Sequence, residues 1–162
     1  GQMDIYRVSS EYIERLREID TGVLLNKPEG KQRPYCGAIT SINERTYFVP
    51  MSSPKEKSSS SQISIKILDE DEELLGTLKF NNMIPVPKSE LTQLDINKIR
   101  KYEDQQYGNL LMKQYFFLKG NEERIEEKAV KVYRNRGNCV PFFEKVCCDF
   151  KALEAEYDKL TR

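Results

Sequence analysis

Four residues side by side, Ser52, Ser53, Pro54 and Lys55, combine two hydroxyls with a cation on a segment stiffened by proline at positions 50 and 54. Hydroxyls donate to phosphate oxygens and an ammonium offsets phosphate charge, so this grouping suits binding and polarising a phosphate group. The same four residues also make an ordinary polar turn. Upstream, Thr46 to Val49 are β-branched or aromatic, the composition of a buried strand. Neither Pro50 nor Pro54 has an N–H, so strand pairing is expected to fail between them and to release both serines into a loop.

There is no histidine, so catalytic chemistry must draw on Lys, Tyr, Asp, Glu or hydroxyl groups, and histidine-based triads and nucleases are excluded. The four cysteines, Cys36, Cys139, Cys147 and Cys148, form no C-x-x-C pair. No structural zinc, other metal or cofactor is expected, and the thiols should be reduced, Cys36 as a small apolar strand residue. Basic and acidic residues balance at 26 each, so overall charge says nothing for a nucleic-acid partner. Their distribution does: Lys27 to Arg33 and Lys55 to Lys66 contain only two acids, Glu29 and Glu56, which allows a locally basic face.

A chain of 162 residues with 38% hydrophobic residues is expected to form one soluble domain over positions 1–162. No apolar run reaches the length of a membrane span and no signal pattern opens the chain, which points to the cytoplasm, and Gly1-Gln2 before Met3 read as an expression remnant.

The elements that must position the serines follow in order. Asp4 to Val8 reads as a strand, then Ser9 or Ser10 caps a helix to about Asp20 with the stripe Tyr12, Ile13, Leu16 and Ile19. That spacing places Ile13 and Leu16 in packing and leaves Tyr12 open. A basic loop with Lys27, Lys31 and Arg33 leads to strands at Tyr35 to Ile42 and Thr46 to Met51, joined at Asn43-Glu44-Arg45. Lys55 to Ser61 reads as a flap, and Gln62 to Ile67 alternates, with Lys66 on the wet face. The acidic run Asp69 to Glu73 is a solvated hairpin tip before Leu74 to Phe80, and Met83 to Val86 is an edge strand between prolines. This succession of short strands suggests a small, strongly bent barrel.

Helices follow. Asp95 caps a short one, a longer one runs from Tyr102 or Asp104 to Lys119, and a third is capped by Asn121 and stops at Asn135 to Asn138. The last begins at Pro141 and runs to about Leu160. The fold expected is therefore α+β: a compact bent β-barrel with an N-terminal helix and packed C-terminal helices.

Several stretches together resemble the toxins of type III toxin–antitoxin systems, the ToxN/AbiQ-like endoribonucleases. They are Tyr6 to Leu16 with Ser9-Ser10-Glu11-Tyr12, Arg33-Pro34-Tyr35-Cys36-Gly37, Val49 to Lys55, Gly76 to Phe80 with Met83-Ile84-Pro85, and Lys113-Gln114-Tyr115-Phe116. The resemblance implies an SH3-like barrel related to the MazF/Kid toxins and metal-independent, sequence-selective RNA cleavage. It implies a partner too, a repeated pseudoknot RNA antitoxin that the toxin releases from its precursor and alternates with in a closed ring. Cellular and phage RNA would be the substrates.

Carried over by position, the resemblance makes Ser53 and Lys55 the active hydroxyl and lysine, Ser52 the preceding hydroxyl, Arg33 a basic residue at the strand entrance, and Tyr12 the aromatic of the first helix. Metal-free cleavage uses the neighbouring 2′-hydroxyl as nucleophile and yields a 2′,3′-cyclic phosphate and a 5′-hydroxyl. Lys55 and Arg33 would supply the positive field and Ser53 a donor or proton relay, with the general base open between Tyr12 and a lysine. Lys27, Lys31, Lys57, Lys66 and Lys79 are phosphate-contact candidates, and Tyr35 a base-stacking candidate. Two rivals stand beside this reading: a non-catalytic RNA-binding barrel module, and a protein-interaction domain using Phe142, Phe143 and Phe150.

Overall fold

The structure, a computed structural model, describes residues 3–26, 32–56 and 59–161. Strand β1 (Asp4–Val8) leads into helix α1 (Ser10–Ile19), and the join is fixed locally. Ser9 Oγ accepts the Tyr12 N–H at 3.2 Å, an N-cap that satisfies a donor the first helical turn leaves free. Tyr12, Ile13 and Leu16 are buried, whereas Ile19, the fourth member of the expected stripe, is exposed because the helix ends there.

Strands β2 (Tyr35–Ile42) and β3 (Arg45–Ser52) form a hairpin in which Ile42 pairs with Arg45. The two intervening residues, Asn43 and Glu44, both have positive φ (47° and 61°), the backbone that matches the twist of paired strands. Strands β4 (Ser64–Leu68) and β5 (Leu74–Lys79) form a second hairpin with the acidic run at its exposed tip. There Asp69 Oδ1 accepts the N–H groups of Asp71 and Glu73 at 2.8 and 2.9 Å. Two short strands complete the sheet, β6 (Ile84–Pro85) and β7 (Leu91–Gln93). The β7 strand was not expected from sequence; it pairs with β1.

All pairings are antiparallel and the strand order is β4-β5-β3-β2-β1-β7, with β6 on β3. The sequence led us to expect pairing of β3 to fail after Pro50. Instead β3 continues, with Met51 opposite Leu78 and Ser52 opposite Thr77. One edge of β3 serves two partners in succession, β6 at Tyr47 and Phe48 and β5 at Met51 and Ser52, and Pro50 lies in the gap between them. The Met51 N–H faces the other way, to Pro34 O at 3.0 Å, and the residue without an N–H, Pro50, takes part in neither of the two pairings on that edge. Ser52 is thereby a strand residue, 3% exposed, and only Ser53 begins the loop.

Helix α2 (Ile96–Lys98), capped by Asp95 as expected, runs into a wide turn at Ile99–Glu103. Helix α3 (Gln105–Gly120) is capped by Asp104, whose Oδ1 accepts the Tyr107 N–H at 3.0 Å, and it lays Leu111, Gln114 and Leu118 on the sheet. Helix α4 (Glu122–Gly137) has no side-chain cap. Asn121, expected there, donates instead back to Phe117 O at 2.8 Å.

The single last helix read from sequence is two, α5 (Pro141–Val146) and α6 (Phe150–Thr161). Tertiary bonds turn the chain between them: Cys148 N–H to Asn81 O at 2.9 Å, Asn81 Nδ2 to Val146 O at 3.2 Å, and Asp149 N–H to Asp20 Oδ2 at 2.7 Å. Phe143 and Phe150 are buried in the main apolar cluster, so the surface that the protein-interaction reading needs is spent on the protein's own core. Among the described residues no helix is long and apolar enough to cross a membrane.

This core carries acids whose neutral form the fold favours. Burial pushes the Cys36 thiol up to about 12 and the Cys147 thiol to about 11. Burial, then hydrogen bonding to Glu154, pushes the Tyr133 hydroxyl to about 12. On unfolding these groups lose protons near their ordinary values of about 8.5 to 10. Between those values and about 12 the unfolded chain binds fewer protons than the folded one, so stability falls as pH rises. The melting temperature is expected to be level from about pH 7 to 8 and to drop steadily above about pH 9, as followed by circular dichroism across a pH series.

Candidate active site

A cavity of about 440 Å³ opens where the end of β3, the segment leading into β2, β1 and helix α3 converge. Ser52 and Ser53 line one side of it, Arg33 and Arg7 another, and Gln114 and Tyr107 of α3 a third. The rest of its wall mixes apolar residues, Met51, Ile99 and Leu110 among them, with the acids Glu56, Glu103 and Asp104. Volume and lining suit a small polar group or a nucleotide-sized fragment.

Each side chain arrives there for a local reason. Ser53 O accepts the Glu56 N–H at 3.1 Å, closing a tight turn with Pro54 and Lys55 at its centre. Proline is preorganised for the second position of such a turn, and Lys55 next to it is exposed. Arg33, largely buried, ties this turn to the strand: its Nη1 donates to Met51 O at 3.4 Å and pairs with Glu56 Oε1 at 3.5 Å. The cation and both hydroxyls therefore stand on one braced edge. Ser52 Oγ donates weakly to Thr77 O at 3.4 Å, a long bond that leaves the hydroxyl exchangeable.

Among the lysines, Lys66 and Lys79 fall on the β4–β5 hairpin. Lys66 pairs with Thr77, which pairs in turn with Ser52, so Lys66 stands two strands from the serine in one cross-strand row. At a strand spacing near 4.8 Å that is about 10 Å between the two backbones. Lys66 is exposed and Lys79 half-buried. Lys27, Lys31 and Lys57 lie outside the described residues.

Two aromatic candidates are corrected by burial. Tyr12 is fully buried, donates to Pro85 O at 2.7 Å and does not line the cavity. Burial, and then the nearby Glu156, push its hydroxyl far above the ordinary tyrosine value, the opposite of what a general base needs. Tyr35 is likewise fully buried, so its ring offers no face for base stacking.

Arg7, Tyr107 and Gln114 were given no site role from sequence, although Gln114 lies in the Lys113-to-Phe116 stretch that carries the family resemblance. Gln114 left one signal, a polar residue at the i+3 position of an apolar helical stripe between Leu111 and Leu118. Arg7 and Tyr107 left none. Burial raises the Tyr107 hydroxyl while the Arg7 guanidinium beside it pulls the other way.

The fold and cleft thus define an α+β protein with hydroxyls and cations gathered at the end of a central strand. The chain belongs to the ToxN family: residues 4–158 match the family model for toxin ToxN of type III toxin–antitoxin systems. It is 44% identical to an endoribonuclease ToxN from Bacillus thuringiensis subsp. kurstaki over 92% of this chain and 79% of that protein. It is 33% identical to the endoribonuclease AbiQ of Lactococcus lactis subsp. lactis over 93% and 85%. Among solved structures it matches, with TM-score 0.92 and 41% identity over 100% and 99% of the two chains, one from work on selective toxin inhibition by a non-coding RNA pseudoknot. It also matches AbiQ, an anti-phage endoribonuclease, with TM-score 0.87 and 30% identity over 99% of each chain.

Proposed function

We propose that this toxin, an endoribonuclease as its named relatives are, cuts single-stranded RNA at the Ser52–Lys55 edge without a metal, leaving a 2′,3′-cyclic phosphate and a 5′-hydroxyl. The observation that carries this is the Ser53–Glu56 turn braced by Arg33, which sets two hydroxyls and the Arg33 guanidinium at one open cavity, with Lys55 exposed on the same turn. In the step, the 2′-oxygen forms a bond to the adjacent phosphorus as the bond to the departing 5′-oxygen breaks. A proton leaves the 2′-oxygen and another arrives at the 5′-oxygen. Arg33 and Lys55 stabilise the charge that builds on the phosphate oxygens, and Ser53 donates to one of them. Ser52, less accessible, orients the phosphate from below.

The physiological partner in this reading is a repeated pseudoknot RNA antitoxin that occupies the cleft, with toxin and RNA alternating in a closed ring; inhibition of a similar toxin by a non-coding RNA pseudoknot supports the RNA partner. Its backbone would cross the Lys66 and Lys79 row. The passage of one β3 edge from β6 to β5 at Pro50 supports reading the sheet as an SH3-like barrel. The whole chain then acts as one cytoplasmic domain.

The experiment is cleavage of an oligoribonucleotide that carries a single 2′-deoxynucleotide at the cut position. Loss of that one cut, with 5′-hydroxyl ends at all others, is expected. Cutting that survives the missing 2′-hydroxyl, or leaves 5′-phosphate ends, would overturn the mechanism.

A further inference from the structure

We propose that Gln114 reads a base: its side-chain oxygen, at the wall of the cleft shared with Ser52 and Ser53, accepts a hydrogen bond from the exocyclic amino group of one RNA base beside the cut. This rests on the ribonuclease reading above and assigns a specificity residue within it.

Gln114 is 3% exposed, on the face of α3 that meets the sheet. Its Nε2 donates to Leu75 O at 2.9 Å. That bond fixes the orientation of the amide, because turning it over would set oxygen against oxygen. The close approach is made possible at Gly76, where φ is +149° and an added Cβ would collide with Ser52 O and come within 3.2 Å of Gln114 Nε2. With Nε2 engaged, Oε1 is the other end of a locked amide, and among the described residues it has no hydrogen-bond partner.

A purely structural tie between α3 and β5 needs only the Nε2 half. The oxygen half is a buried acceptor without a donor, the kind of group that folded proteins seldom leave unmatched except where something else is to bind. Gln114 is also one of the residues that line the cavity holding the serines and Arg33. The missing partner must therefore bring an N–H into the cleft, and the apolar wall of Met51, Ile99 and Leu110 suits the flat face of a base.

Which base follows from the neighbouring acceptors. Leu75 O and Ser52 O sit close by, and a uracil edge that offered its N3–H would also turn two carbonyl oxygens toward that acceptor-rich wall. An amino group presents two hydrogens and no lone pair in the base plane, so adenine, cytosine or guanine fits this wall better than uracil, whose single N3–H donor lies between two acceptors. A site built to match an amino group also rejects the analogue lacking it, because its own acceptor is then left unpaired.

The test uses an oligoribonucleotide that the wild-type protein cuts. Nucleotides flanking the cut are replaced one at a time by analogues lacking only the amino group: purine riboside for adenosine, inosine for guanosine and zebularine for cytidine. At one position kcat/KM is expected to fall about 10- to 100-fold in the wild type. The same replacement should cost Gln114→Met less than about 3-fold, and this ratio does not move if the variant is merely less stable. The proposal fails if no position responds in the wild type, or if Gln114→Met responds equally. Should Gln114→Met not fold, Gln114→Leu takes its place in the same comparison, and a Gln114→Leu protein that responds as the wild type does overturns the proposal. A wild type that cuts no RNA at all would remove the ribonuclease reading, and this inference with it.

Discussion

Replacing Lys55 with alanine is expected to lower kcat for RNA cleavage by about 100- to 1,000-fold, the effect of removing one fixed donor aimed at developing charge. Stability should stay within about 0.5 kcal/mol of wild type, because Lys55 is exposed at the centre of a turn whose closing bond is made by the backbone of Ser53 and Glu56. Single-turnover cleavage together with thermal unfolding separates the two. Lys55→Arg keeps the charge on a longer, planar head, so it should recover part of the rate. A fall in rate matched by an equal fall in melting temperature would place the effect in folding. RNA affinity should also weaken steeply with salt, through the cleft cations and the Lys66 row together.

The second large effect is on the fold. Glu154 is 4% exposed and gathers three donors: Tyr47 Oη at 2.6 Å, Tyr133 Oη at 2.8 Å and Asn43 Nδ2 at 2.9 Å, with Arg45 3.5 Å away. It thereby ties α6 to the tip of the β2–β3 hairpin and to α4. Glu154→Ala leaves the buried Tyr47 hydroxyl with only a 3.5 Å contact to Phe150 O and unpairs part of Arg45, a loss of about 3 kcal/mol. For a chain of this size that lowers the melting temperature by about 6–12 °C. Glu154→Gln keeps an acceptor for Tyr47 and should lose less than half as much. Because this network lies away from the cleft, the surviving folded Glu154→Ala protein should cut RNA at the wild-type rate.

What was legible in the sequence was what is local in the chain. The Ser9 cap, the Asn43-Glu44 turn, the Asp69–Glu73 tip and the Asp95 cap are each set by residues a few positions apart. The candidate site was legible for the same reason, since Ser53, Pro54 and Lys55 make one turn and Arg33 enters the adjacent strand. The misreadings share a different cause. Pairing was expected to fail between Pro50 and Pro54 because sequence does not show that β3 changes neighbours there. The turn between α5 and α6 depends on Asn81 and Asp20, far away in the chain. Helical spacing put Tyr12 on a stripe but carried no sign of the Pro85 carbonyl that takes its hydroxyl. Gln114 becomes a site residue only once α3 lies on β5.

The central claim is that Ser53 and its braced turn cut RNA through the neighbouring 2′-hydroxyl with no metal ion. The most direct measurement compares wild type and Ser53→Ala on one oligoribonucleotide in excess chelator, with the product ends identified. Cyclic-phosphate and 5′-hydroxyl ends from the wild type, and a rate about 100-fold lower or less from Ser53→Ala, are predicted. Wild-type activity that disappears with chelator, or a Ser53→Ala protein that cuts as fast as wild type, would contradict it.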